Sequence, residues 1–394
     1  MTHNKLGVAI DIGTTTIALH LIDTATNTRL ATVSGVNAQV PYGADVTSRI
    51  EYSAKNGHEK LTNLIREQIS SMITDSCTQA GTKPENVEYI VIAANTVMQH
   101  IAAGYSPVTM GVVPFTTQSL FGEELPAWDN LPTAKNTKIY YTPAISAYVG
   151  GDVTAGLLAA RFEDIKDPAI LLDIGTNGEM VLKHKGTYYC CATAAGPAFE
   201  GAEISMGMAA ESGAIDHVKL GKNNEIEYTT IGGENPKGLC GSGLLDTLAV
   251  LLETGDVDET GRLLSSPFSL LPNITITAED IRKLQLAKAA IAAGIQVLLH
   301  FAGLSEKDIK LLALAGGFGS YMDLNSAAKI GLFPKTLLPV AKTYGNTSGE
   351  GAALALSSET ARTTLKNIQE KSEYIELSSI AFFNEKFVDE MAFY

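Results

Sequence analysis

A four-residue motif that occurs twice constrains the fold of this chain more than any other feature. Residues 11–14 and residues 173–176 both read DIGT, and apolar runs flank each copy. This pattern predicts a buried strand, a tight glycine turn and a second strand in each half of the chain. An internal repeat of this kind indicates two related domains.

Two further pairs of segments follow the motif in the same order. Apolar strands at 89–95 and 310–317 each run into a turn and a helix. Glycine-acid pairs at 151–152 and 349–350 each open a helix rich in small residues, so that two such helices can approach closely. The repeated order predicts two α/β domains, each with a mixed sheet covered by helices.

The repeat also predicts where the domains divide. We expect a first domain over residues 1–160, completed by residues 341–394, because the last glycine-acid helix should pack back on the first half. The second domain is expected over residues 161–340, with a less regular insertion at about 221–275. A capping box at 277–280, followed by apolar residues at helical spacing, predicts a long helix after the insertion.

Composition and charge narrow the class of protein. The 394 residues are 45% apolar and 18% charged, which is typical of a globular chain. The net charge of −14, without a basic block, argues against binding to nucleic acid or an anionic membrane. The least polar stretch, at 287–304, is interrupted by Gln296 and His300 and is predicted to be too short to cross a bilayer. We therefore expect a soluble cytoplasmic protein whose four cysteines are reduced and mostly buried.

The two glycine turns have the chemistry of phosphate-binding loops. Glycine permits a tight turn, and successive backbone N–H groups form a nest for anions. Threonine hydroxyls add neutral donors. Two facing turns therefore predict a site for a chain of phosphates. Asp11 and Asp173 would hold the hydrated Mg²⁺ that accompanies such a ligand, and one of them could orient an attacking water.

Each feature also has a simpler explanation. A single D-x-G-T sequence is usually an ordinary turn, and Asp152 and Glu350 could serve only as helix N-terminal residues. Residues 315–319 (AGGFG) could be only a tight strand-to-helix turn. Aspartic proteases also carry one D-x-G-T motif per lobe. In that family a hydroxyl residue is expected between the Asp and the Gly, whereas this chain has Ile12 and Ile174 there. The Ala-rich helices also do not suit the mostly β fold of those proteases. Phosphate binding is therefore favoured.

The order of the hairpins, the glycine-acid helices and the AGGFG turn resembles the actin-like ATPase (ASKHA) superfamily. That superfamily includes actin, sugar and acetate kinases and heat-shock chaperone ATPases. The resemblance implies two duplicated actin-like (ribonuclease H-like) domains, with ATP and Mg²⁺ in the cleft between them. Asp11, Asp152 and Asp173 are then the expected catalytic residues, with Asp11 and Asp173 near Mg²⁺ through water. The residues expected to bind the nucleotide are Gly13, Thr14, Thr15, Thr16, Gly175, Thr176, Asn177, Gly316, Gly317 and Phe318.

Longer motifs resemble, more specifically, the reductive activators of corrinoid proteins. They include YVGGDVTAGLLA, ATAAGPAFEGAEISMG, GLCGSGLLD, GNTSGEGA and the final YIELSSIAFFNEKFVDEMAFY, and the similarity extends over essentially the whole chain. The resemblance implies an ATPase that binds a corrinoid methyl-transfer protein. It implies that ATP binding and hydrolysis are coupled to the one-electron reduction of cobalt(II) to cobalt(I).

In one respect the sequence departs from those activators. They usually carry an iron–sulfur cluster in an extra domain, whereas this chain begins close to the first hairpin and contains no ferredoxin-type cysteine run. The expected cofactors are therefore ATP and Mg²⁺, without a cluster in this chain. Electrons are expected from a separate donor such as a ferredoxin-like protein. A chain that is a fragment, or one with another client, would also account for the departure.

The sequence leaves other functions open. A small-molecule kinase of the same superfamily would use Asp152 as a base toward a substrate hydroxyl, and a non-catalytic ATP-dependent scaffold would form filaments with ATP. A DNA-binding repressor of related fold is disfavoured, because nothing before Gly7 can form a DNA-binding unit. The glycine-rich segments at 193–208 and 239–246 could line the site, contact the client or be packing turns. The sequence also allows a homodimer.

Overall fold

The computed structural model describes residues 5–166, 168–319 and 321–393. The chain divides into two compact units. The first unit consists of residues 1–165, 186–188 and 346–374, and the second consists of residues 166–185, 189–345 and 375–394.

Helices and strands are interspersed along the described residues. The elements up to residue 159 are β1 (Leu6–Ile12), β2 (Thr16–Asp23), β3 (Thr28–Val36), α1 (Val46–Asn56), α2 (Glu59–Gln79), β4 (Val87–Ala94), α3 (Thr96–Ala103), β5 (Glu123–Pro126), β6 (Lys138–Tyr141) and α4 (Gly151–Ala159). The elements up to residue 302 are β7 (Ala169–Ile174), β8 (Gly178–His184), β9 (Thr187–Thr193), β10 (Ala214–Leu220), β11 (Ile226–Thr230), β12 (Gly238–Leu239), α5 (Gly241–Thr254), β13 (Phe268–Leu271), β14 (Ile274–Ile276) and α6 (Ala278–Ala302). The last elements are β15 (Leu311–Ala315), α7 (Gly316–Gly319), α8 (Leu324–Ile330), β16 (Ala341–Gly345), α9 (Thr347–Ser357), α10 (Glu359–Glu370), β17 (Ser372–Tyr374) and α11 (Ala381–Asp389).

Six strands form the sheet of the first unit, in the order β3-β2-β1-β4-β6-β5. β1 pairs antiparallel with β2, which closes the predicted hairpin. It also pairs parallel with β4, and Asp11 lies opposite Ala93 in that register. Because parallel strands end at the same edge of a sheet, the turn after β1 and the start of α3 lie at one edge.

Helix α9 belongs to the first unit, where it packs against α4. A Cβ atom on Gly351 of α9 would lie 2.0 Å from the carbonyl oxygen of Ala155 on α4, so only glycine fits this contact. A Cβ atom on Gly7 of β1 would similarly lie 2.7 Å from the Leu356 side chain of α9. The prediction that the two glycine-acid helices approach each other closely is confirmed.

The last part of the chain differs from the predicted boundary. Residues 341–394 are predicted to complete the first domain, but only residues 346–374 of this segment lie in the first unit. The end of the chain belongs to the second unit, because α11 packs against α6 and because Ile375, Leu377 and Phe393 are buried in the core of that unit.

The sheet of the second unit repeats the arrangement of the first. β16, β15, β7, β8 and β9 are neighbours in this order. β7 and β8 form an antiparallel hairpin, and β15 runs parallel to β7 with Ala315 opposite Asp173. The turns that follow β7 and β15 therefore lie at the same edge of this sheet. The predicted α/β fold with a duplicated hairpin is confirmed.

The long helix predicted after the insertion is α6. Its N-terminal capping box is formed as predicted: Thr277 Oγ1 accepts a hydrogen bond from the Asp280 N–H, and Asp280 Oδ2 accepts one from the Thr277 N–H. The interpretation of the apolar stretch as too short to cross a membrane is wrong, because the helix begins at Ala278 and is 25 residues long. By length and composition α6 passes as a membrane span, but 78% of its most apolar window is buried inside the protein. It is a core helix of the second unit.

The insertion predicted to be irregular contains helix α5. Glycine at its first and third positions obscures the helical pattern in the sequence, but both glycines serve packing. A Cβ atom on Gly241 would lie 1.8 Å from the Phe199 carbonyl oxygen, and one on Gly243 would lie 2.2 Å from that of Ile215. Cys240, immediately before α5, is buried and reduced like the other three cysteines, as predicted.

Candidate functional site

The first glycine turn is tightly closed. The Gly13 N–H donates to the Thr16 carbonyl oxygen at 2.9 Å. A Cβ atom on Gly13 would lie 2.6 Å from that oxygen, so a larger residue would force the turn open. Thr15 and Thr16 are exposed at the tip of the turn, and Thr14 is half-buried.

Two buried side chains hold the back of this turn. Asn37 Nδ2 donates to the Gly13 carbonyl oxygen at 2.9 Å, and the Asn37 N–H donates to that of Thr15 at 2.8 Å. The Arg49 guanidinium donates to the carbonyl oxygen of Thr14. Since the C=O and N–H groups of a trans peptide point in opposite directions, the N–H groups of Thr14 and Thr15 face away from Asn37 and Arg49. The open side of the turn therefore presents donors, as an anion site requires.

Arg49 is a buried cation within the first unit. Its side chain has no exposed surface. It donates to the Gly43 carbonyl oxygen and to Gln39 Oε1, as well as to the turn. Burial lowers the pKa of Arg49 to about 10, so the side chain stays protonated at neutral pH. No sequence pattern connects Arg49 with the first hairpin.

Asp11 lies at the end of β1, where α9 reaches it. Ser348 Oγ donates to Asp11 Oδ1 at 2.8 Å, and Asn346 Nδ2 donates to Asp11 Oδ2 at 2.9 Å. Asn346 also caps α9, because its Oδ1 accepts a hydrogen bond from the Gly349 N–H at 3.0 Å. Burial raises the pKa of Asp11, and the two hydrogen bonds oppose that rise. Two neutral donors thus fix the carboxylate without neutralising its charge, which suits a group that attracts a hydrated cation.

Asn346 and Ser348 are functional candidates that the sequence analysis missed. Both belong to the GNTSGEGA segment, which was noticed only as part of the family resemblance and as the start of a helix. Glu350, in the same segment, points elsewhere and forms an ion pair with Arg29 at 2.5 Å.

Asn95 connects the first turn with α4. Asn95 Nδ2 donates to Thr14 Oγ1 at 3.1 Å, and Asn95 Oδ1 caps α3. A Cβ atom on Gly150 would lie 2.5 Å from the Asn95 Cα atom, so the start of α4 packs directly against this residue. Asp152 is half-buried in the first turn of α4, where its Oδ1 accepts a hydrogen bond from the Val153 N–H at 2.8 Å. Asn95 thus places the helix of Asp152 beside the first turn.

The second turn and the AGGFG turn meet within the second unit. The Gly175 N–H donates to the Asn177 carbonyl oxygen at 2.9 Å, which closes the second turn. Gly316 follows β15 with a φ of 87°, and a Cβ atom there would lie 2.5 Å from Asp173 Oδ1. Among the described residues, none comes within 4 Å of a Cβ position on Gly317, so this side of the glycine faces open space. The structure therefore places the AGGFG backbone against the Asp173 carboxylate.

Glu200 is a second residue that the sequence analysis missed. Thr176 Oγ1 donates to Glu200 Oε2 at 2.9 Å, and burial raises the pKa of the Glu200 carboxyl. The preceding residue, Phe199, stacks on Phe318 with ring centroids 5.1 Å apart. The segment at 193–208 was suspected from its glycines, but no pattern singled out Glu200.

The predicted site residues thus form two groups, one in each unit. In the first unit Asp11, the turn at 13–16 and the helix of Asp152 are close to one another. In the second unit Asp173, the turn at 175–177 and residues 316–318 are close to one another. Each group combines a carboxylate with backbone and hydroxyl donors at the end of a central strand. Contact of these residues with a nucleotide stays a prediction.

Comparison with known families gives a match over both halves of the chain. Residues 6–164 match the family described as the RACo middle region. Residues 167–394 match the family described as the C-terminal domain of RACo, the ASKHA domain.

Curated relatives and a solved structure agree with those families. The chain is 32% identical to the corrinoid activation enzyme RamQ of Eubacterium limosum, over 97% of this chain and 69% of RamQ. It is 26% identical to the [Co(II) methylated amine-specific corrinoid protein] reductase of Methanosarcina barkeri, over 87% of this chain and 68% of the reductase. A solved structure of a reductive activator for a corrinoid, iron-sulfur protein superposes with a TM-score of 0.90 and 35% identity, over 100% of this chain and 67% of that one.

Proposed function

The chain belongs to the RACo family, and we propose that it is an ATPase that reductively activates a corrinoid methyl-transfer protein. The observation that carries the proposal is the match to the RACo family over both halves of the chain. The duplicated glycine turns support it, because their residue types suit phosphate binding. ATP hydrolysis drives the transfer of one electron to the corrinoid cobalt, which passes from cobalt(II) to cobalt(I). The electron comes from a separate donor such as a ferredoxin-like protein.

ATP is bound through the predicted residues of the two glycine turns. Free backbone N–H groups of both turns, together with the threonine hydroxyls of residues 14–16, bind phosphate oxygens. Gly316, Gly317 and Phe318 lie by the adenosine, and Asp152 assists the reaction from the first turn of α4. Asp11 and Asp173 are the residues that would hold Mg²⁺ through water, and the ion would offset the negative charge of the phosphates.

The ATPase cycle acts on the partner by changing affinities. A ligand shifts a conformational equilibrium only through its different affinities for the two states. The ATP-bound protein holds the corrinoid protein in the form that accepts an electron, and hydrolysis releases it. We place this reaction in the cytoplasm, without a nucleic-acid or membrane partner, in keeping with the net charge of −14.

Substitution of the two aspartates tests the ATPase assignment. Asp11→Ala and Asp173→Ala should each lower Mg-ATP turnover at least 100-fold, roughly the effect of losing a charge-stabilising group. Asp75→Ala, at an exposed position of α2, is the matched control and should leave turnover unchanged. Normal turnover by either site variant would show that the site is wrongly assigned.

A second measurement tests the partner. The wild-type protein is mixed with a corrinoid protein in the cobalt(II) state, a reductant and Mg-ATP, and the absorbance of cobalt(I) is followed. The cobalt(I) signal should require ATP and should be lost in Asp173→Ala. ATP hydrolysis without a cobalt(I) signal from any corrinoid protein would leave the ATPase but contradict the activator role.

A further inference from the structure

The carboxylate of Glu200 lies against the second glycine turn. Its Oε2 atom accepts the hydrogen bond from Thr176 Oγ1 at 2.9 Å. A Cβ atom on Gly175 would lie 3.7 Å from the other carboxylate oxygen, Oε1, so the carboxylate lies along the turn. Both Glu200 and Thr176 keep part of their surface exposed, so a small molecule can reach the pair.

The direction of this hydrogen bond restricts what Thr176 can do. Its only hydroxyl proton is given to Glu200, so the lone pairs of Oγ1 remain to accept hydrogen bonds. A phosphate oxygen needs a donor and would also be repelled by the carboxylate of Glu200. A water molecule suits the pair, because it can donate one proton to Thr176 Oγ1 and the other to a Glu200 oxygen.

The segment that carries Glu200 is fixed at several points within the second unit. Ser205 donates to Asp280 on α6 through its N–H at 2.8 Å and through its hydroxyl. Lys283 Nζ donates to the Glu203 carbonyl oxygen at 2.6 Å. Phe199 is held between Phe318, on which it stacks, and Gly241, whose backbone it touches. A carboxylate held in this way is positioned precisely, as a proton acceptor in catalysis must be.

We propose that Glu200 is the proton acceptor that activates the water for attack on the γ-phosphate of ATP. This inference rests on the proposed ATPase function. In the step, the water oxygen forms a bond to the γ-phosphorus, and the bond from that phosphorus to the β–γ bridging oxygen breaks. ADP leaves with that electron pair, and one water proton passes to the Glu200 carboxylate and then to solvent.

The environment of Glu200 suits this role at neutral pH. Burial raises its pKa, and the hydrogen bond from Thr176 partly opposes the rise. A general base works best when its pKa lies near the working pH. The titratable groups on the elements next to this segment include Asp173 at the end of β7, Cys240 before α5, and Asp280 and Lys283 on α6. Asp280 and Lys283 contact the segment at Ser205 and Glu203 instead of Glu200.

Glu200→Gln tests whether Glu200 accepts a proton, because the substitution keeps the size and shape of the side chain. Glutamine still accepts the Thr176 hydrogen bond but cannot take up a proton. Steady-state Mg-ATP hydrolysis and ATP binding are measured from pH 5 to 8. We expect kcat to fall about 100- to 10,000-fold with ATP binding within threefold of wild type, and we expect the acidic limb of the pH profile to disappear. Glu203→Gln, on an exposed side chain of the same segment, is the control and should match the wild type.

Thr176→Val is the second variant, in case Glu200→Gln fails to fold. Removing the hydroxyl takes away the hydrogen bond that lowers the Glu200 pKa. The acidic limb should therefore move to higher pH, which a purely structural role would not produce. The inference would be overturned if the acidic limb of the pH profile did not move in Thr176→Val. It would also be overturned if Glu200→Gln kept its acidic limb and a turnover within threefold of wild type. A wild-type protein without ATPase activity would instead contradict the proposed function itself.

Discussion

Single residues from distant parts of the chain hold the first glycine turn in shape. Asp11 depends on Asn346 and Ser348, whose hydrogen bonds span 335 and 337 positions. Arg49 and Asn37 fix the carbonyl oxygens behind the turn. Each of these contacts restrains a group whose direction matters, since donors misplaced by about an ångström cost an active site much of its rate.

Ser348→Ala should weaken the first unit measurably. Removing a hydrogen bond to the half-buried Asp11 carboxylate should lower the free energy of unfolding of this unit by about 1–3 kcal/mol at pH 7. The hydroxyl stabilises the charged form of Asp11, so this contribution is present above the Asp11 pKa and is lost as falling pH protonates the carboxyl. The difference between variant and wild type should therefore shrink in acid.

Urea unfolding followed by tryptophan fluorescence measures this effect, because the only tryptophan, Trp128, lies in the first unit. Ser357→Ala is the matched control on the same helix, since the Ser357 hydroxyl donates to the Ala353 carbonyl oxygen within α9. It should change the free energy of unfolding by less than about 0.5 kcal/mol. Equal effects of the two substitutions would contradict a special role for the Ser348–Asp11 contact.

At the scale of elements, α6 and the end of the chain stabilise each other through a buried lysine. Lys288 on α6 has no exposed surface, and its Nζ atom donates to the Ala392 carbonyl oxygen. The same atom lies 5.0 Å from the centre of the Phe393 ring. Burial lowers the pKa of Lys288 from 10.5 to about 8. The terminal segment thus covers a charged lysine whose burial lowers the stability of the folded protein at neutral pH.

Lys288→Met should reveal this cost through its pH dependence. The folded protein releases the lysine proton near pH 8 and the unfolded chain releases it near pH 10.5, so the contribution of Lys288 to stability grows between these values. From pH 7 to pH 10 the wild type should gain about 2 kcal/mol over Lys288→Met. Urea unfolding, monitored through hydrogen exchange of α6 peptides, measures this difference in the free energy of unfolding. Lys342→Met, at an exposed position of β16, is the control and should show no such trend. A stability difference between wild type and Lys288→Met that does not change with pH would mean that the pKa of Lys288 is not lowered.

At the scale of the whole molecule, each unit contains one turn with the same chemistry. Mg-ATP should therefore slow hydrogen exchange in both units if both turns bind the nucleotide. The expected segments are residues 11–16 and 346–349 in the first unit, and 173–177 and 316–319 in the second. Helix α2 should be unaffected and serves as an internal control. Slower exchange in the segments of one unit alone would contradict a two-turn nucleotide site.

Much of the fold was predictable from local pattern. The two hairpins, the capping box of α6 and the glycine-acid helices follow from alternation, glycine placement and helical spacing over a few residues. Helix α5 was missed, because glycines at its start serve packing against distant backbone and not a turn. The long helix α6 was predicted from its capping box, but only its apolar stretch at 287–304 was weighed as a membrane span, because the N-terminal part of the helix is more polar on the face that meets solvent.

The sequence by itself determined the duplicated α/β architecture, the two aspartate-glycine turns and the family. Each of these depends on residues that are near one another in the chain or on motifs that can be compared directly. Only the tertiary structure decided which side chains support the turns: Asn346 and Ser348 at Asp11, Arg49 at Thr14, and Glu200 at Thr176. The physical reason is that backbone preferences are local, whereas these hydrogen bonds form only where packing brings separate segments to the same edge of a sheet.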